Sequence, residues 1–178
     1  MRAKKKKKAT AASGRSAGDR PRREEILRAA TKEFSAKGFH GATTAGIARV
    51  AGVAQPLVHH HFGSKVGLWE AVLTDLFDEL RTLQEGTVRD LHGVDLAASL
   101  KIFLRQFVLF SARRPELARI MVQEGAATKG FDGSLEGHVR PQLERFEVLL
   151  QQLVGQYRVP MSKREVQLLC FLAIGAST

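Results

Sequence analysis

Residues Thr43 to Lys65 read TTAGIARVAGVAQPLVHHHFGSK, and the rest of the chain is arranged around them. Thr43 or Thr44 suits the cap of a first short helix, because a hydroxyl there accepts an amide that the helix leaves unpaired. Ile47, Ala48 and Ala51 fall on one face of that helix. Gly52 stands where the chain must turn sharply, since glycine enters left-handed backbone at little steric cost. Val53 plugs the joint. Pro56 suits the first turn of a second helix, roughly Gln55 to Phe62, where its missing N–H would have no partner anyway. Helix, glycine turn and helix at this spacing form a helix-turn-helix, whose second helix enters a DNA major groove.

The flanks fit this core. From Pro21 to Lys37 the pattern is helical, with Ile26, Ala30 and Phe34 in register. Gly38 ends that helix, and Phe39 packs back on the small domain. After Lys65 a longer helix runs to about Glu85, with Leu68, Trp69, Val72, Leu73, Leu76, Leu80 and Leu83 as its buried stripe. Five pieces then agree in order and spacing: the IL-AA-F helix, the KGF connector, the TT cap, the IA-AGV turn and the HF-SK-L exit. Over about Arg22 to Leu73, in REEILRAATKEFSAKGFHGATTAGIARVAGV and HHHFGSKVGLWEAVL, the chain resembles the TetR-type transcriptional regulators.

That resemblance implies an all-α protein with two working parts. Residues 21–67 form a three-helix DNA-binding domain, and 68–178 a helical effector-binding and dimerisation bundle. It implies a homodimer that reads a pseudo-palindromic operator in double-stranded DNA. It further implies a repressor released by a small apolar ligand, with the helix after Lys65 as the path of the signal.

Composition sets the outer limits. With 178 residues, 44% of them hydrophobic, the chain can bury a real core. Its single cysteine, Cys170, excludes an internal disulfide framework and fits a reducing cytoplasm. No apolar run is long enough to span a bilayer, and the basic N-terminus has no apolar segment behind it to make a secretory signal. The net charge of +10 is unevenly spread: residues 1–23 hold ten Lys or Arg and one acid, Asp19, leaving the remainder at +1. Residues 1–20, with Lys4 to Lys8 in a row and little to bury, read as a disordered basic tail. It is either a solubilising extension or a non-specific DNA arm.

The later chain is helical throughout. About Val94 to Ala112 is strongly apolar, and Pro115 restarts a short helix, PELARIMVQEG. AATKGFDG reads as loose. A helix follows from about Ser134 or Leu135 to Tyr157, with Leu143, Phe146, Leu150 and Leu153 in a stripe, and Pro160 breaks it. Ser162 caps a last helix carrying Val166, Leu169, Cys170, Ala173 and Ile174, which ends at Thr178 without a stop signal. The resemblance has this helix continue and pack in the dimer, so the ending reads as short.

Specific DNA reading needs side chains that reach base edges and donors that fix the backbone. The second motif helix offers Gln55, Pro56, Leu57, His59 and His60. Gln55 suits a paired contact to adenine N6 and N7, and Leu57 a thymine methyl. Thr43, Thr44 and Lys65 sit where phosphate contacts are expected. The TetR pattern commonly has a basic residue at Gln55, a small one at Leu57 and a tyrosine at His59. The motif helices are therefore poor in fixed positive charge, and Arg22, Arg23, Arg49 or the tail would have to supply it.

His59, His60 and His61 invite a metal reading, but consecutive helical positions point ~100° apart and cannot converge on one ion; helical zinc pairs are spaced i, i+4. Phe62 after them is expected in the core. Phe103, Phe107, Phe110 and Met121 are candidates to line a ligand pocket, with interhelical packing as the plainer reading. His138 and Arg140 are candidates to orient a polar ligand group, or else solvated surface. No nucleophile, base and orienting group stand at recognisable spacing, so nothing points to an enzyme, and no cofactor or metal is called for. Two rivals to a ligand-released repressor stay open: a ligand-independent DNA-binding protein of this fold acting through a protein partner, and a metal or enzymatic protein using the histidines.

Overall fold

The computed structural model describes residues 10–90, 95–127 and 133–158, together with Ser162 and Glu165. These residues form seven helices: α1 (Thr10–Gly41), α2 (Thr44–Ala51), α3 (Gln55–Phe62), α4 (Lys65–Asp90), α5 (Leu96–Arg113), α6 (Pro115–Ala127) and α7 (Gly133–Tyr157). The protein is all-α. It divides into two compact units, the first ending at Val72 and the second beginning at Leu73. The border therefore falls within α4, beyond the expected division at 67/68.

In the first unit α1, α2 and α3 pack on one another. Ile26, Ala30 and Phe34 from α1 meet Ile47 and Ala48 from α2, Val58 from α3 and the start of α4, all buried. Phe34 meets the Trp69 indole edge-on at 5.0 Å, and Phe39 leans on the same indole at 5.5 Å. Such aromatic pairs add about 0.5–1.5 kcal/mol beyond the area they bury. Gly38 breaks the α1 geometry with φ 69, which lets Phe39 fold back onto this cluster.

The helix start is a correction. α1 begins at Thr10, inside the stretch 1–20 expected to be disordered. Composition measures what a segment can bury, and a helical turn added to an existing helix need not bury anything. Such a turn also escapes the cost of nucleation. Asp19 also gains a partner there, because its Oδ1 lies 3.4 Å from His61 Nε2. Residues 1–9, with the lysine run, lie outside the described residues.

In the second unit α5 packs against α6 and α7. Phe146 and Leu150 of α7 are buried against Leu100, Phe103 and Leu104 of α5. Arg114, at the α5–α6 corner, pairs with Glu79 of α4 and lies 3.7 Å from Asp75 and 3.8 Å from Glu116. The apolar stripe expected on α4 needs one amendment. Leu83 is at its exposed edge, while Phe77 and Gln84 occupy the buried face. Ser162 and Glu165 form a reciprocal cap. Glu165 Oε2 accepts from the Ser162 amide at 2.7 Å, and the Glu165 amide donates to Ser162 Oγ at 3.4 Å. The donation from the Ser162 amide, and then from its hydroxyl, holds the Glu165 carboxyl below its ordinary range. The stripe read on the last helix, with Leu169 and Cys170, lies outside the described residues.

The α3–α4 junction is tighter than its sequence suggests. Gly63 has φ 72 and ψ −55, and the Ser64 amide donates to Phe62 O at 2.8 Å. Ser64 Oγ then accepts from the Gly67 amide at 3.0 Å, capping α4. A Cβ on Gly67 would stand 2.3 Å from Phe62 O. Gly67→Ala is therefore expected to destabilise the chain by about 1–3 kcal/mol through overpacking. Gly86→Ala in the same helix meets open space and should be neutral or stabilising by up to ~1 kcal/mol. Urea unfolding followed by circular dichroism compares the two.

Candidate nucleic-acid interface

The geometry of the helix-turn-helix follows from its caps. Thr43 is the N-cap of α2, and its hydroxyl accepts from the Gly46 amide at 3.0 Å. At the other end Gly52 is left-handed, with φ 68 and ψ 28. Its amide donates to Arg49 O at 3.2 Å and the Val53 amide to Ala48 O at 3.0 Å, a Schellman closure. Ala54 is the N-cap of α3 without a side-chain bond, and Pro56 stands in the first turn.

α3 turns Val58 into the core and leaves Gln55, Pro56, His59 and His60 exposed, with Leu57 half-buried. Gln55 Nε2 donates to Thr44 Oγ1 at 3.2 Å, so two residues from different helices share one polar spot. The Gln55 carbonyl end and the second N–H stay available for a base edge. His59 Nδ1 lies 3.3 Å from Gly63 O. Beside α3, a shallow groove is bordered by Arg22 and Glu25 on one side and by Pro56, Leu57 and His60 on the other. Arg22 thus brings fixed positive charge to the edge of the reading face. Arg49 is exposed on α2.

Several residues have other tasks than those expected of them. The Thr43 hydroxyl is committed to the α2 cap. Lys65 Nζ donates to His40 O at 3.3 Å and sits 4.7 Å from the centre of the Phe39 ring, which fastens the end of α1 to the start of α4. Phe62 is half-buried rather than core, and Arg23 lies over its ring at 5.0 Å. That stacking is worth about 0.5–1 kcal/mol at an exposed site. His61 carries a side chain only 6% exposed and turned to Asp19. The three histidines therefore take three directions. Among the described residues no group of three or more His, Cys, Asp and Glu side chains could hold a metal ion.

Sequence reasoning missed Val58 and Arg22's neighbours. Val58 carries no local signal that sets it apart, since Leu57 beside it and Phe62 four positions on are apolar too. The groove was not visible either, because it joins residues thirty or more positions apart in sequence.

The ligand candidates divide in the second unit. A cleft of about 820 Å³ lies between α4, α5 and α7, and Phe103 lines it. Phe110 is 3% and Met121 9% exposed, both taken up in packing. Phe107 is half-buried and does not border the cleft. His138 is held by Ser134 O at 3.0 Å and Thr74 at 3.3 Å, over the Phe77 ring. Arg140 is paired with Glu136 on the surface.

The sequence pattern that defines the bacterial regulatory proteins of the tetR family matches residues 26–72. The nucleoid occlusion factor SlmA of Photorhabdus laumondii subsp. laumondii is 30% identical over 141 residues, 79% of this chain and 69% of that protein. The chain belongs to the tetR family. Solved tetR-type folds agree. A TetR-like transcriptional regulator from Rhodococcus sp. RHA1 superposes with a TM-score of 0.68 at 21% identity, covering 88% of this chain and 79% of the other. FadR from Bacillus subtilis, in complex with stearoyl-CoA, gives 0.66 at 16% identity, over 86% and 83%. As a tetR-family protein the chain is a DNA-binding regulator, and α3 is its recognition helix. Among the described residues no helix is long and apolar enough to cross a membrane.

If α3 reads bases, Gln55→Ala and Leu57→Ala should each weaken binding to a specific duplex by about 1–3 kcal/mol and leave random-sequence affinity nearly unchanged. Titrations of both duplexes by fluorescence anisotropy test this. Equal losses on the two would place the residues outside base reading.

Proposed function

We propose that the protein is a homodimeric, sequence-specific transcriptional repressor that leaves its operator when a small molecule occupies the second unit. The observation that carries the DNA part is the division of α3: Val58 inward, and Gln55, Leu57, His59 and His60 outward on a short helix held at both ends by glycine turns. Thr44 and the amide end of α2 stand ready for phosphate, with Arg22 and Arg49 as the fixed charges beside them. A dimer supplies two such helices, so a pseudo-palindromic site with half-sites about one helical turn apart is the expected target. The ligand part rests on the cleft between α4, α5 and α7. A ligand there acts only by favouring one conformer over another.

A second reading has its own support. The relatives at 30% identity are nucleoid occlusion factors, which favours a DNA-bound protein that works through a protein partner without a small ligand. Both readings share the operator-binding dimer, and the cytoplasm is the expected compartment for either.

Selection of bound sequences from random duplexes, followed by light scattering of the complex, tests the shared reading. The expected result is an inverted-repeat consensus with an even number of protomers on it. An asymmetric consensus bound by one protomer, or no consensus at all, would contradict it.

A further inference from the structure

Between α5 and α6 the second unit carries a groove of about 550 Å³. Val108, Ala112, Pro115 and Val122 line it, and Val108 and Val122 are 49% and 55% exposed. Single exposed apolar residues need no explanation, but these four meet across two helices.

The charges around them are of one sign. Along α5, Lys101, Arg105, Val108 and Ala112 follow at i, i+4, i+7 and i+11, one stripe of the helix, and all four are exposed. Arg119 borders the groove from α6. None of these three cations has an ion pair among the described residues. α5 contains no Asp or Glu. The two carboxylates of α6 are engaged elsewhere, with Glu116 3.8 Å from Arg114 and Glu124 buried.

This pattern restricts the occupant. A second copy seated on the same face would set arginine against arginine. A nucleic acid would leave the valines unanswered, since phosphates need only the cations. A partner helix fills such a groove with apolar residues at i, i+3, i+4 and i+7 and meets the rim with its flanking side chains. Acidic flanks match Lys101, Arg105 and Arg119. Pro115 to Gln123 spans about 12 Å of α6, so two to three turns of partner helix cover the groove.

We infer that the α5–α6 groove docks a short acidic amphipathic helix of a protein partner, whose apolar face lies on Val108 and Val122 and whose carboxylates pair with Arg105 and Arg119. The inference rests on the reading of the chain as a DNA-bound protein that works through a protein partner, and it states the chemistry of that partner.

Selection on the full chain, without DNA, from a displayed library of random peptides of about four helical turns tests it. Recovered peptides are synthesised and titrated by fluorescence anisotropy. The expected peptides carry Asp or Glu beside apolar residues at helical spacing. Val122→Asp and Arg119→Glu should each weaken them about tenfold or more, the scale of an anchor residue in an interface. Arg28→Glu, an equal charge change at an exposed residue of α1, should leave their affinity nearly unchanged. Circular dichroism checks that the variants fold, and if Val122→Asp does not, Arg119→Glu decides. No enriched peptide, a consensus without acidic residues, or binding that survives both groove substitutions would overturn the inference. Acidic peptides held by Lys4 to Lys8 give the last of these results. A protomer number altered by Val122→Asp in light scattering would assign the face to a second copy of the chain. Phosphatidylglycerol vesicles that bind the parent but not Val122→Asp, with no peptide enriched, would assign it to a lipid surface. Either result overturns the inference too. Because no DNA is present, such a failure leaves operator binding untouched, and a failed duplex selection leaves this groove untouched.

Discussion

Two positive-φ glycines fix the direction of the recognition helix. α3 has eight residues, too few to be stable in water alone. It buries one apolar side chain fully, Val58. Its direction therefore depends on what holds its ends. Gly52 reverses the chain after α2, and Gly63 reverses it again before α4, each in a conformation that a residue with a Cβ rarely adopts. Between these points, the Gln55–Thr44 bond, the approach of His61 to Asp19 and the stacking of Arg23 on Phe62 tie α3 to α2 and α1. With the inward side so committed, the outward side, with Gln55, Pro56, His59 and His60, is left exposed.

The charge distribution gives this interface a particular balance. Apart from its first 23 residues the chain is close to neutral, and α3 itself has no lysine or arginine. Lys65 donates to His40 O and lies over the Phe39 ring. Fixed positive charge near α3 comes from Arg22, and on α2 from Arg49. A basic N-terminal segment that touched phosphates would supply most of the salt dependence, since the rest of the chain carries little net charge.

What the sequence disclosed follows the range of the forces involved. The helix-turn-helix was legible because its signals are local: a threonine cap, a glycine turn, a proline in a first turn. Gly67 escaped notice because the carbonyl that excludes its Cβ belongs to a turn formed five residues earlier. The start of α1 was not legible because residues 10–20 offer no apolar periodicity to mark a helix. Gln84 lay hidden within an apolar stripe, since a search for hydrophobic periodicity passes over a polar residue in register. The choice among Phe103, Phe107, Phe110 and Met121 depends on how α5, α6 and α7 rotate against one another, which spacing along one helix does not determine. Only Phe103 faces the cleft.

The central claim is that Gln55 reads a purine in the major groove from α3. A double cycle on the selected operator tests it most directly. Replacing the contacted adenine with 7-deazaadenine removes one major-groove acceptor and leaves base pairing intact. The account predicts that this substitution weakens the parent chain by about tenfold and Gln55→Ala hardly at all, because the two changes delete the same interaction. Equal weakening of both proteins would show that Gln55 does not touch that base and would contradict the account.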